Sequence, residues 1–235
     1  MQSFYEPVVW YIVFLFSVTL HEASHAFIAK KGGDETAYLG GQVSLDPIPH
    51  IRRSPFGMVF LPLLSVFLIG WPIGFASAPY DPFWADRYPR RAGYMALAGP
   101  ASNFALVVIA ALSIRLGMLF GVFKLPPEIQ ISDVAMAAEP GFWSAVAFFI
   151  GIVFTLNLVL TVLNMLPIPP LDGSGVLTLL LSEENARKYN NFFRNPIFSM
   201  IGILLVWRIF APIFHVFFRF AISLLYPETN YVSQY

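Results

Sequence analysis

Cysteine is absent from these 235 residues, charged residues make up only 12% of them, and neither sign of charge is in excess, 14 Lys and Arg standing against 14 Asp and Glu. Each shortage excludes something. Without cysteine there is no disulfide framework and no thiolate metal site, so any metal has to be held by histidine and carboxylate. A formal charge of zero supplies no basic field for phosphates, which excludes nucleic acid as a partner. Soluble domains carry about 25% charged residues. A chain with half that share, 57% hydrophobic and holding 24 Phe, has lipid as its main solvent.

A membrane-crossing helix needs about 20 apolar residues. Stretches of that order occupy residues 8–29, 56–77, 93–123, 142–166 and 196–226, without internal repeats or low-complexity tracts. The first begins on Gln, Ser and Glu, not on a basic segment, and has no small-residue cleavage site, so it is expected to be a retained helix and not a signal peptide. The second is interrupted by Pro62, Gly70, Pro72 and Gly74, and proline removes a backbone donor that lipid cannot replace. Ten of the 14 basic residues sit in three loops: Lys30, Lys31, Arg52 and Arg53; Arg87, Arg90 and Arg91; Arg187, Lys188 and Arg194. If 56–77 dips in and returns, all three loops share one face, which the positive-inside rule makes cytoplasmic. The N-terminus and the acidic 124–141 connection (Glu128, Asp133, Glu139) then lie outside. The expected architecture is an all-α polytopic membrane protein with four spanning helices plus a re-entrant segment, or five crossings if that segment spans. Residues 38–45, rich in strand formers and broken by a Gly pair, read equally as a small β element after the first helix or as an ordinary connecting loop. One integral membrane domain covers residues 1–235, with a core over 8–182 and a C-terminal helix over 196–226.

Within the first apolar stretch stands His21-Glu-Ala-Ser-His25. Residues i and i+4 of a helix share a face, so both imidazoles can reach one Zn²⁺ while Glu22 points near its open position. The structural alternative, three polar side chains satisfied by neighbouring helices, is opposed by the cost of placing ionisable groups inside an apolar helix. At about 1.5 Å per residue, His25 lies roughly 8 Å inside Lys30, below the charged surface but short of the bilayer centre. Zinc needs a third protein ligand, and the acidic residue at the end of another apolar helix is Asp172. It stands in Asn164-Met-Leu-Pro-Ile-Pro-Pro-Leu-Asp-Gly173, where three prolines forbid regular helix. Irregular backbone at membrane depth is tolerated beside a water-filled cavity or inside protein. Taken alone, Asp172 reads equally well as the N-cap of a helix over 173–182.

Together, His21-Glu22-x-x-His25 and Asn164-x-x-Pro167-x-Pro169-x-Leu171-Asp172-Gly173 closely resemble the site-2 protease family of intramembrane metalloproteases. Ala96-Leu-Ala-Gly-Pro-Ala-Ser-Asn103 and Gly70-Trp-Pro-Ile-Gly-Phe-Ala are similar to further elements of that family. The resemblance implies zinc held by His21, His25 and Asp172, Glu22 as catalytic acid/base, and Asn103 and Asn164 in substrate-binding or oxyanion roles. It also departs from the family. There is no room between or after the motifs for the PDZ or CBS domain that members often carry. Arg52 follows His50-Ile51 where a related subgroup often has an acidic residue.

Topology supplies a check from other residues. The His pair and Asp172 both lie toward the C-terminal ends of their helices, so these helices must run in the same direction, with an odd number of crossings between them. Two candidate stretches intervene, so one of them does not cross.

Weaker signals surround the site. Asn157 shares a helix face with Asn164 and reads first as an interhelical hydrogen-bonding residue. Arg208, His215 and Arg219 share a face of the last helix, at spacings that fit snorkelling side chains better than an ion path. His50, in a proline-rich loop, reads as a surface histidine sooner than as a second metal ligand. Trp10, Trp71, Trp84, Trp143 and Tyr226 flank the apolar stretches as interfacial anchors do.

The expected activity is a zinc metalloendopeptidase of a bacterial-type plasma membrane. It would cut transmembrane proteins or peptides within or near their membrane segments, on the cytoplasmic side, in regulated intramembrane proteolysis. The rivals are a catalytically silent chaperone or adaptor on the same scaffold, which the complete motif set argues against, and a metal transporter, whose repeated ligands and internal symmetry are missing.

Overall fold

The computed structural model describes residues 5–227. Four helices are long and apolar enough to cross a membrane: α1 (Tyr5–Gly32), a 31-residue helix (Pro89–Leu119), a third (Phe142–Asn164) and a fourth (Pro196–Leu225). In chain order, short helices α2 (Thr36–Leu39), α3 (Pro47–Arg53), α4 (Leu61–Ile69) and α5 (Pro82–Arg87) precede the second span, α6. The third span is α7, followed by α8 (Asp172–Val176) and α9 (Glu183–Phe193), and the fourth is α10. The protein is an all-α integral membrane protein, as its composition predicts.

Charge and capping set the helix ends. Glu6 in the first turn of α1 and Lys30 and Lys31 in its last complement the helix dipole. The Gly32 carbonyl at its end accepts from Trp84 Nε1 and Arg91 Nη1, both at 3.0 Å. Asp46, Asp81 and Asn195 cap α3, α5 and α10, each followed by a proline that needs no donor there. These contacts gather the basic loops. Arg91 binds the end of α1, and Arg194, just before α10, holds both carboxylate oxygens of Asp86 at 2.8 Å.

The second apolar stretch returns on itself. A π-helical turn (Phe56–Phe60) leads into α4, and the two run at 114° to α3. Helix α4 stops at Gly70, whose φ of 73° reverses the chain at little cost for a residue without Cβ. The chain then runs back without regular structure. The Ile73 N–H donates to Ser65 Oγ at 2.7 Å and the Phe75 N–H to the Gly57 carbonyl at 3.0 Å, so residue 75 is again beside residue 57. This is the dip expected from the proline pattern and the loop charges.

Helix α6 is the hub, packed against both α1 and α7. One apolar cluster, including Ile114, Phe154, Phe214 and Phe218, joins α6, α7 and α10; another, including Phe14, Met58, Ile152 and Leu156, joins α1, the re-entrant segment and α7.

Two expectations are corrected. Residues 38–45 form no strand. Asp34 accepts hydrogen bonds from the Thr36 N–H and hydroxyl, which starts the helical turn α2, and residues 43–45 are bent. Among the described residues no strand pairs with this segment; the one sheet pairs Phe123–Lys124 with Met136–Ala137 in the loop before α7. His50 is not on the surface. It is fully buried, its Nε2–H donating to the Ser44 carbonyl at 3.0 Å while Gln42 bonds the Ser77 carbonyl, also at 3.0 Å. The loop folds inward around this polar pair.

Candidate metal centre

His21 and His25 lie one turn apart on α1, at the face that meets α6, and Asp172 opens α8 immediately after the proline turn. The three converge. His21 Nε2 and Asp172 Oδ2 are 3.0 Å apart, His25 Nε2 and the same oxygen 3.3 Å, and the two Nε2 atoms 3.0 Å. The imidazoles are almost closed off, with 8% and 7% of their side chains exposed, whereas Asp172 keeps 24%. The site is most exposed on the side of the proline turn.

Neighbouring groups decide the imidazole tautomers. The Val153 carbonyl and the Ser17 hydroxyl take the two N–H groups of Asn157, which turns the Asn157 Oδ1 toward Asn103. That oxygen and the Ser17 carbonyl occupy both Nδ2 protons of Asn103. The Asn103 Oδ1 is left facing His21 Nδ1, and an amide oxygen can only accept, so His21 carries its proton on Nδ1. His25 Nδ1 faces the Met95 carbonyl at 2.6 Å and is protonated for the same reason. Both Nε2 lone pairs then point at each other and at a carboxylate.

Three acceptors crowded in this way repel unless a cation lies among them. A proton can bridge one of the three contacts and leaves the others opposed; a divalent ion satisfies all three. Ligand atoms at about 2.0–2.1 Å from a tetrahedral zinc stand roughly 3.3 Å from one another, close to the separations here, so the residues fit the ion.

Glu22 is 6% exposed and, among the described residues, accepts no hydrogen bond, which leaves its carboxylate free beside the imidazoles. Asn103 is fully buried with every donor engaged, so it has none to offer a substrate oxyanion; its contact is with His21. Asn164, at the end of α7, is half-buried and its side chain has no hydrogen-bond partner among the described residues.

Gly99 was not singled out by the motif reading. A methyl group at this position would collide with Nε2 of both imidazoles, so only glycine lets α6 approach this closely. Its spacing of four from Asn103, on one helix face, was the available signal. An apolar groove of about 750 Å³ runs between α1 and α6 past residues that include Leu20, Phe27, Leu45, Tyr94 and Ala101. None of the four site residues lines it.

Comparison with known proteins agrees with this geometry. YwhC of Bacillus subtilis, provisionally named a zinc metalloprotease, is 34% identical over 167 residues, 71% of this chain and 66% of its own. Rip2 of Mycobacterium tuberculosis, with a similar provisional name, is 34% identical over 174 residues, 74% of this chain and 57% of its own. MJ0611 of Methanocaldococcus jannaschii is 28% identical over 187 residues, 79% of this chain and 70% of its own. The match thus spans less than two thirds of the length of YwhC and Rip2. No solved structure matches the chain. The profile of Peptidase family M50 matches residues 9–208, from the first span through the middle of the last, and the chain belongs to that family, the zinc-dependent site-2 proteases of membranes.

Proposed function

We propose that this protein is an intramembrane zinc endopeptidase that hydrolyses peptide bonds within or beside the transmembrane segments of other membrane proteins, as in regulated intramembrane proteolysis. The observation that carries the reading is the convergence of three lone-pair donors, His21 Nε2, His25 Nε2 and Asp172 Oδ2, beside the unpaired carboxylate of Glu22 in an apolar helix. Zinc held there supplies Lewis acidity toward the scissile carbonyl and an attacking water.

The chain's own groups do the rest. Glu22 takes the proton of the attacking water and returns it to the leaving amine nitrogen. Asn103 and the Met95 carbonyl hold the imidazoles in the ligating tautomer. Asn164 keeps a free amide to donate to the oxyanion or the substrate backbone. The basic loops, gathered at the end of the bundle near Asp172, face the cytoplasm, so cutting occurs toward that side and the N-terminus lies outside. A silent adaptor on this scaffold has no use for an unpaired buried carboxylate beside a preformed ligand set.

The test is the Glu22→Gln protein in the native membrane. It keeps zinc by metal analysis while cleavage falls about 10²- to 10⁴-fold, the range of general acid–base catalysis, and uncut membrane peptides accumulate by mass spectrometry. Undiminished cleavage rules the mechanism out.

A further inference from the structure

Helix α10 packs one face, through Phe210, Phe214 and Phe218, on α6 and α7. The opposite face carries Arg208, His215 and Arg219 at spacings of 7 and 4, all exposed. Arg208 has no hydrogen bond or ion pair among the described residues. Pro212, four residues on, has no N–H to give the Arg208 carbonyl, so donors and an acceptor are both left unmatched near one turn.

Depth makes this costly. Arg115 on α6 donates to the Leu225 carbonyl at the end of α10, which sets the two helices level there. Gly99, against the imidazoles, is 16 residues below Arg115 on α6, and Arg208 is 17 residues below Leu225 on α10, which at about 1.5 Å per residue is roughly 24 and 26 Å. Arg208 thus lies level with the metal site, twelve residues inside an apolar helix long enough to span a membrane, on its exposed face. An intramembrane guanidinium calls for a carboxylate. A second copy has none free to offer at this depth: Glu22 is buried beside the imidazoles, Asp172 is committed to them, and Glu6 lies in the first turn of α1 at the far end.

We propose that the outer face of α10 docks a transmembrane helix of another protein that carries an Asp or Glu at the depth of Arg208. The site is coupled to the reaction centre by position. Gly202, two turns before Arg208, lies against the Pro169 carbonyl, in the turn that delivers Asp172.

The full-length protein in phosphatidylcholine vesicles, with and without phosphatidylglycerol, is titrated with labelled Leu/Ala transmembrane peptides bearing Glu or Gln at the matching depth, and association is read by energy transfer. The expected result is about tenfold tighter association of the Glu peptide, the scale of one intramembrane polar pair. Arg208→Leu abolishes the preference with zinc content unchanged, and Arg208→Glu transfers it to an Arg peptide. Equal association of Glu and Gln peptides with the wild type overturns the proposal and leaves Arg208 snorkelling. Loss of the preference when phosphatidylglycerol is added assigns the face to lipid headgroups. Self-association that disappears in Arg208→Leu without any peptide preference assigns it to a second copy, and overturns the proposal as well.

Discussion

His21 on α1 donates its Nδ1 proton to the Oδ1 of Asn103 on α6, 82 residues away, at a position where both side chains are buried. The bond joins a candidate metal ligand to the helix that packs on it, and it ends a chain of amides beginning at the Val153 carbonyl. Loss of such an outer partner lowers metal affinity or activity by about 10- to 100-fold. Asn103→Ala is therefore expected to weaken zinc by that factor in competition with a chelator. Asn157→Ala acts through Asn103, so the double variant should be little worse than Asn103→Ala alone.

Gly99→Ala is a sharper test of the close helix approach. The added methyl competes with both Nε2 atoms for the space a metal occupies, so the variant should stay folded by circular dichroism yet contain almost no zinc. Zinc at the wild-type level would mean that α6 stands further from α1 than the structure has it.

Asp172 is the third candidate ligand, from a different part of the chain. Asp172→Ala leaves two imidazoles, and metal analysis should show zinc lost from the purified protein. A chelator should likewise remove zinc and activity from the wild type, and added zinc should restore both. Activity that survives chelation with no metal left would exclude a metallopeptidase.

His50 anchors the loop after α1 without touching the metal centre. His50→Ala takes the partner from the half-buried Ser44 carbonyl, which costs at most about 1–3 kcal/mol. A lowered melting temperature with unchanged zinc content is expected. Loss of zinc in this variant would connect the loop to the centre in a way its hydrogen bonds do not.

Much of the fold was legible because lipid leaves few options. Apolar length marked the four spans, proline and glycine marked the returning segment, and the placement of Arg and Lys marked which ends lie together. The metal ligands were legible because the i, i+4 pair and the proline turn before Asp172 are local patterns. Residues 38–45 misled because strand propensity needs a partner strand, and Asp34 starts a helical turn first. His50 misled because loop composition suggests exposure, while burial was decided by Gln42, Ser44 and Ser77 folding around it.

The sequence by itself determined the solvent of this protein, the chemistry of its ligands and the order of its spans, since these depend on composition and on residues close together in the chain. Only the tertiary structure decided that Asn103 bonds His21, that Gly99 lets α6 approach both imidazoles, and that Arg208 is exposed on α10 level with them. Those facts depend on which helix faces meet and at what height, and helix phase and depth are settled by packing between segments far apart in sequence.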